Sequence, residues 1–274
     1  MSDFRPLFDG KTLDGWRAVP RLPTPRRPYD PPISVAPAEW QRIIDHTGDW
    51  TVEDGAICGR QSPPGSGLGG YLISDEIFGD FELVFEAQPD WPADTGIMLR
   101  TSSTATQGYQ VLLDHRQSGN IGGFYGNGIG RFHAINFNID ARRDAAGHPV
   151  GLKLEDPATT IEPITDHKRS LLTKSVTGAQ FLGIWKWSEW NEFRISVVGE
   201  IPVITTTING LEIAQLDASQ LPPEDFDPVA TLRLLGRRGH IAFEVHDNDP
   251  TLKEGRWGPN AACKWRNIRL RDIS

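Results

Sequence analysis

An all-β sandwich or barrel is the fold this sequence predicts, on three observations. Short segments alternate apolar and polar residues with period two, as half-buried strands do. Turn dipeptides separate them, among them Asp54-Gly55 and Asn209-Gly210, which supply the positive φ angles of two-residue hairpin connections. No segment carries a persuasive 3.6-residue apolar stripe, so helices contribute little to the core. The chain has 274 residues, with 38% hydrophobic and 23% charged residues and with 28 Gly and 21 Pro, which fits a soluble, turn-rich protein organised as one domain over residues 1–274.

Taken in order, Phe4 to Trp16 reads as an edge strand and loop broken by Asp9-Gly10 and Asp14-Gly15. Seven of the eighteen residues from Pro20 to Pro37 are proline. That excludes an interior strand or helix, so residues 20–37 are expected to form an extended surface loop. Trp50 to Arg60 is a hairpin, Tyr71 to Ser74 a short strand, and Phe81 to Ala87 a half-buried strand with Glu82 and Glu86 on its wet side. The Gly-rich run at 62–70 lacks the Lys-Ser/Thr of a phosphate loop and no helix pattern follows it. Gly96 to Thr101, Gly108 to His115 and Gly119 to Gly130 continue the strand series.

Residues from about 133 to 180 lose periodicity, which marks an insertion too long for an ordinary connection and expected to act as a lid or binding loop. Trp185, Trp187 and Trp190 follow it, placed either to stack on a ligand ring or to pin the insertion. Phe193 to Val198, Val203 to Ile208, Leu211 to Leu216, Gly239 to His246 and Cys263 to Ile273 complete the strands. The Asp- and Asn-rich segment 247–260 does not match the spacing of a helix-loop-helix calcium loop, so a surface turn is expected there.

Alternation also places polar groups. Ile97 and Leu99, Tyr109, Val111 and Leu113, and Ile241, Phe243 and Val245 make apolar rows, which leaves Arg100, Gln110, Asp114, His240, Glu244 and His246 on the opposite faces. If these strands share a sheet, a guanidinium, two carboxylates and imidazoles meet on one face, a cluster that is costly unless it is partnered or put to use. The same residue types also occur on merely solvated sheet faces.

The net charge of −8 and the lack of a basic run argue against nucleic acid as a partner. The N-terminus has no apolar leader and no stretch approaches the length of a spanning helix, so no membrane partner is expected. The sequence as it stands implies the cytoplasm, or the periplasm or exterior if a leader has been removed. Cys58 and Cys263 are expected as two buried thiols, with a single disulfide as the alternative.

LFDGKTLDGW, WTVEDGAI, GDFELVFEA, TGIMLR, GYQVLLD, EWNEFRISVVG, INGLEIAQL, GHIAFEVH and KWRNIRLRDI occur in that order. Together they resemble the 3-keto-disaccharide hydrolase family across nearly every predicted strand. The resemblance implies a concanavalin-like jelly roll of two curved antiparallel sheets with a ligand groove on the concave face, and a glycoside already oxidised to a ketone at C3 as substrate. Two positions depart from the family pattern. Gln110 stands where the family usually has Glu, and Glu244 where it usually has Gln, so a carboxylate has moved between strands.

On that resemblance, His246 is expected as the base at C2, Arg100 as the partner of the enolate oxygen, and Asp114 with Glu244 as acid or orienting groups. Gln110, Tyr125, Trp187 and His240 are expected to bind substrate. Alternatively Asp114, Glu244 and His246 hold a divalent metal. A non-catalytic, lectin-like sugar-binding module stands as the second reading of the whole chain.

Overall fold

The computed structural model describes residues 3–273, and two large antiparallel sheets pack face to face across them. Among the described residues the first sheet has nine strands. Its order is Lys174–Ser175, Leu211–Asp217, Val203–Ile208, Asn191–Val198, Phe81–Pro89, Cys263–Asp272, Ala56–Arg60 and Asp49–Glu53, with Arg5–Pro6 added along Cys263–Asp272. The second has seven, in the order His133–Ala134, Ile121–Asn127, Gly108–His115, Ala93–Thr101, His240–Val245, Gly70–Ser74 and Trp16–Pro20. This is the expected jelly-roll sandwich.

Period-two alternation sorts each strand between the two sides of its sheet. Ile97, Leu99, Val111, Leu113, Ile241, Phe243 and Val245 face the other sheet and are fully buried. Phe243 stacks on Trp265 at 5.0 Å between ring centroids, and Phe85 on Phe193 at 5.1 Å, so aromatic contacts run through one apolar core between the sheets. Both hairpins form where the turn dipeptides placed them, with positive φ at Asp54, Gly55, Asn209 and Gly210. Cys58 and Cys263 are buried free thiols, and burial pushes the Cys58 thiol up to about 11.

Residues 21–36 form the expected loop without strand or helix. Two helices of eight residues were not legible, Pro37–Ile44 and Pro228–Leu235. The first buries no residue and the second only Thr231, so neither needs the apolar stripe that would have revealed it.

The insertion is built into the sandwich. His133–Ala134 extends the edge of one sheet and Lys174–Ser175 the edge of the other, so the segment closes one flank of the sandwich. The hairpin Ile139–Arg143 with Pro149–Leu154 lies between them, the helix Gly178–Leu182 follows Lys174–Ser175, and both pack on that flank. Phe181 is fully buried and stacks on Phe137 at 5.0 Å. Thr177 and Gln180 cap the helix reciprocally, satisfying donors that its start leaves open. Periodicity fails here because each piece is too short to show one.

Two of the three indoles after the insertion meet at His115, and the third stands apart. Trp185 packs on Phe181 and near His115, Trp187 lies against Trp91 and His115, and Trp190 covers Arg266. His115 donates through Nδ1 to Asp90 O at 2.7 Å, and burial lowers its pKa to about 4.

Two outcomes test this packing. Phe181→Ala is expected to lower unfolding free energy by about 3–5 kcal/mol, the range for a large aromatic removed from a core. Urea titration checks it, and a loss below ~1 kcal/mol would show that the insertion is only draped over the core. The unfolded chain takes up a proton at His115 near the ordinary value, whereas the fold resists until about pH 4. The stability His115 contributes is therefore full above ~6.5 and declines as pH falls toward 4. The urea midpoint should drop between pH 7 and pH 5, and His115→Gln should flatten that slope.

Candidate active site

The other side of the seven-stranded sheet carries a compact group of charged side chains. Asp94 and Asp114 lie directly opposite one another in the register of neighbouring strands, and Gln110 lies opposite both Met98 and Tyr125. Glu244 is paired with Tyr71 on its other neighbour. Of these groups Glu244 is fully buried, Asp94 is 2% exposed and Asp114 5%. Burial at that level requires partners, and the partners are arginines.

Arg21 reaches in from the proline-rich loop. Its guanidinium lies 2.7 Å from Glu244 Oε1 and 3.3 Å from Asp247 Oδ2, and sits over the Tyr71 ring. Arg256 comes from the Asp- and Asn-rich loop, which the backbone bond from Asp94 N to Arg256 O draws onto the sheet. It donates from Nε to Asp94 Oδ2 at 2.7 Å and pairs with Asp249. Arg116, two residues beyond Asp114, donates from Nε to the same Asp94 oxygen at 2.7 Å.

His246 sits between two of these cations. Its Nδ1 is 2.8 Å from Asp247 O, which fixes that nitrogen as the donor. Its Nε2 then accepts from Arg21 Nη2 at 3.1 Å and Arg256 Nη2 at 2.9 Å. Burial and the two guanidiniums hold the imidazole well below its usual pKa, so it is neutral with a lone pair facing two cationic donors.

The carboxyls divide in the same way. Burial and the neighbouring Asp94 charge raise Asp114 well above the carboxylate range, so it keeps a proton that it shares with Asp94. Burial pushes Asp94 the same way, but Arg116 and Arg256 outweigh it and hold Asp94 ionised. Burial also raises Glu244, against the pull of Arg21.

Gln110 donates from Nε2 to Glu244 Oε2 at 2.7 Å. The two exchanged positions therefore do face one another. Gly96 makes that contact possible, because a Cβ there would stand 2.4 Å from Gln110 Nε2. Asp114, Glu244, His246 and Gln110 are thus brought together, and Tyr125 borders them beside Gln110, with its ring against His133 of the insertion at 5.7 Å.

Three expected site residues lie elsewhere. Arg100 has φ 46° at a register shift opposite residues 240–242, and the irregularity turns its side chain out of the alternating row. It donates to Gly79 O, Gly199 O and Asp80 instead, tying two loops together. His240 is bound to Ser74 O at the far end of its strand. Trp187 remains against Trp91 and His115.

The sequence reading missed Arg21, Asp94, Arg116 and Arg256. Asp94 was available to it, since extending that strand back by two residues keeps the same face, whereas Arg116 lies in the turn after Gly108–His115. The loop arginines carried no signal.

Next to the Arg116 and Arg256 end lies a cleft of about 620 Å³ between Trp91, Pro92, Gln117, Pro149 and Leu252. The donor set does not fit a metal held by Asp114, Glu244 and His246. Among the described residues no three His, Cys, Asp or Glu side chains are grouped to hold one, and the His246 lone pair is directed at guanidiniums. What the group offers chemically is a protonated carboxyl, a neutral imidazole lone pair and cationic donors within one buried patch.

The comparisons agree with this architecture. No curated protein matches the chain. Two solved structures of Parabacteroides distasonis ATCC 8503 proteins, each described as a candidate glycosyl hydrolase, share the fold. One is 14% identical with a TM-score of 0.50, over 99% of this chain and 100% of the other. The second is 11% identical with a TM-score of 0.50, over 99% and 94%. The family model described as the 3-keto-alpha-glucoside-1,2-lyase-like domain matches residues 3–271, essentially the whole chain. The chain belongs to that family.

Proposed function

We propose that the protein cleaves glycosides bearing a ketone at C3 of the sugar, by elimination across C1 and C2 followed by addition of water. The observation that carries this reading is the meeting of His246 Nε2 with Arg21 Nη2 and Arg256 Nη2 at 3.1 and 2.9 Å. Forming an enolate requires a base at the carbon next to a carbonyl and cationic donors at the carbonyl oxygen. A C3 ketone drawn onto the two guanidiniums takes the donors that now engage the imidazole and frees its lone pair toward the C2 hydrogen.

The C2–H bond then breaks, its proton passes to His246 Nε2, and its electron pair moves into the carbonyl to give an enolate beside Arg21 and Arg256. As the enolate collapses the C1–O bond breaks, and the Asp114 carboxyl gives its proton to the departing oxygen. Water then adds across the C1–C2 double bond, its hydroxyl going to C1 while C2 takes back the proton held by His246, and the water's remaining proton restores Asp114, which completes a net hydrolysis. Arg21 and Arg256 thus take the part the sequence assigned to Arg100. Glu244 and Gln110 hold one another and Arg21 in place. A lectin-like role has less support, because the indoles do not gather into a platform on this face.

Incubation with a 3-keto-glucoside while following release of the aglycone tests the reading. Release is expected from the ketone and not from the parent glycoside, whose C2 proton has no adjacent carbonyl. Comparable turnover of the unoxidised glycoside would exclude elimination, and binding of both without turnover would favour the lectin-like role. His246→Ala and Asp114→Asn are each expected to cost about 10²-fold or more in kcat/KM, the scale of a lost base or acid. Because Asp114 must be protonated to act, the rate should fall as pH rises through its raised pKa, and this alkaline limb should be missing in Asp114→Asn.

A further inference from the structure

Residues 22–46 leave the seven-stranded sheet after Pro20, which is paired with Gly70, and come back to that same glycine at Thr47. A Cβ at Gly70 would stand 1.9 Å from Thr47 O, so the return point is clamped. Between its ends the span crosses the side of the sheet that carries the charged group, starting from Arg21 on Glu244. At its far reach Thr24 meets Gln107 above Gly128, where a Cβ would lie 2.6 Å from Thr24 Cγ2 and 2.7 Å from Gln107 Cγ. On the way back the helix Pro37–Ile44 brings in Arg42, whose charge is steadied by Glu39 first and, beyond the span, by Asp247 of the site.

Little fastens this span to the sandwich. Among the described residues, every hydrogen bond and ion pair made by 22–46 stays inside the segment, as Arg27 with Asp30, Gln41 with Asp45 and Arg42 with Glu39 do. None of its side chains joins the apolar core, and Tyr29, Ile33, Trp40 and Ile44 are exposed. A segment with so few outside contacts opens at low cost. Six prolines between residues 23 and 37 stiffen it, and Gly48, with φ 77°, stands at its base as a pivot.

The charged group needs an opening. Gln110 is 7% exposed, Asp114 5% and Glu244 fully buried, so no sugar ring reaches the Asp114 carboxyl with the cover in place. The other covering loop cannot yield, because Trp257 is fully buried, Asp94 N donates to Arg256 O at 3.0 Å and Gly258 N to Pro92 O at 3.0 Å.

We propose that residues 22–46 are a gate over the charged group, with Arg21 as its latch. Release of Arg21 from Glu244 and His246 lets the span swing out and admits the sugar. Closure returns the guanidinium to the ketone oxygen, so the base is set to work only when the gate is shut. This regulation rests on the keto-glycoside reading, whereas the opening itself does not.

A disulfide across Thr24→Cys/Gln107→Cys tests it, since the two side chains meet over Gly128 and the native Cys58 and Cys263 are buried. Oxidation of the double variant should lower kcat/KM for a 3-keto-glucoside at least 10-fold, and a reductant should restore it to within 2-fold of wild type. Each single variant should ignore the oxidant. Opening is read independently by electron–electron distances between spin labels on Ile33→Cys and Val150→Cys, both exposed positions, where a second, longer population is expected. Full turnover by the bridged enzyme, with the bridge verified by loss of free thiols, would overturn the proposal, as would a single narrow distance distribution. Absence of turnover in the wild-type chain would remove the elimination reading, and the distance distribution would then still decide whether the span opens.

Discussion

Everything on the side of the seven-stranded sheet turned away from the core depends on how three guanidiniums neutralise carboxyls that their surroundings have removed from water. Leaving Asp94 or Glu244 ionised and alone at that depth would cost several kcal/mol per group. Asp94 is held by Arg116 and Arg256, and Glu244 by Arg21, while Asp114 avoids the cost by keeping its proton. Two of the three arginines belong to loops. The long connections at residues 20–37 and 247–260 are thus fixed in place by the charges of the strands beneath them, and the site cannot be assembled by the sheet alone.

That dependence explains what could be recognised in the sequence. The sandwich was legible because each long strand declares its own alternation, and Gln110, Asp114, Glu244 and His246 fell on one side by the same rule. Arg100 was misplaced because alternation assumes an unbroken strand. The positive φ at Arg100 and the approach of Gly239, whose Cβ would lie 2.4 Å from Arg100 C, break it. Arg21 was hidden in a segment whose composition announces only an extended loop. Arg256 was hidden in one that looks like a turn. Loops have no period, so the partner a buried charge requires can be inferred from a sequence while its address cannot.

The exchange of Gln and Glu between positions 110 and 244 takes on a physical meaning in this setting. With Gln110 Nε2 on Glu244 Oε2, the two side chains form one unit with a single negative charge whichever strand carries it. Moving the carboxylate to position 244 places it under Arg21. It also leaves the Asp114 side of the sheet one charge less negative, beside a carboxyl that keeps its proton. A glutamate at 110 would stand on the same strand as Asp114 and compete for the same cations. The departure from the family pattern is thus a redistribution of charge within one hydrogen-bonded pair of side chains.

The arginines that make burial possible also limit what the site can accept. While Asp114 keeps its proton, Arg21, Arg116 and Arg256 face two inner carboxylates, Asp94 and Glu244, and the inner group carries one positive charge in excess. Asp247 and Asp249, each 29% exposed, pair directly with Arg21 and Arg256, so the positive excess is confined to the innermost groups and the carboxylates that offset it stand at the outer edge. Guanidinium donors gathered in a poorly hydrated patch favour a ligand that develops negative charge on one oxygen, as a ketone does when its neighbouring carbon loses a proton. It does much less for an ordinary glycoside, whose departure leaves positive charge on the ring. The same cations that stabilise the fold therefore set the sign of the charge that can form over it, and that sign matches an enolate and opposes an oxocarbenium ion.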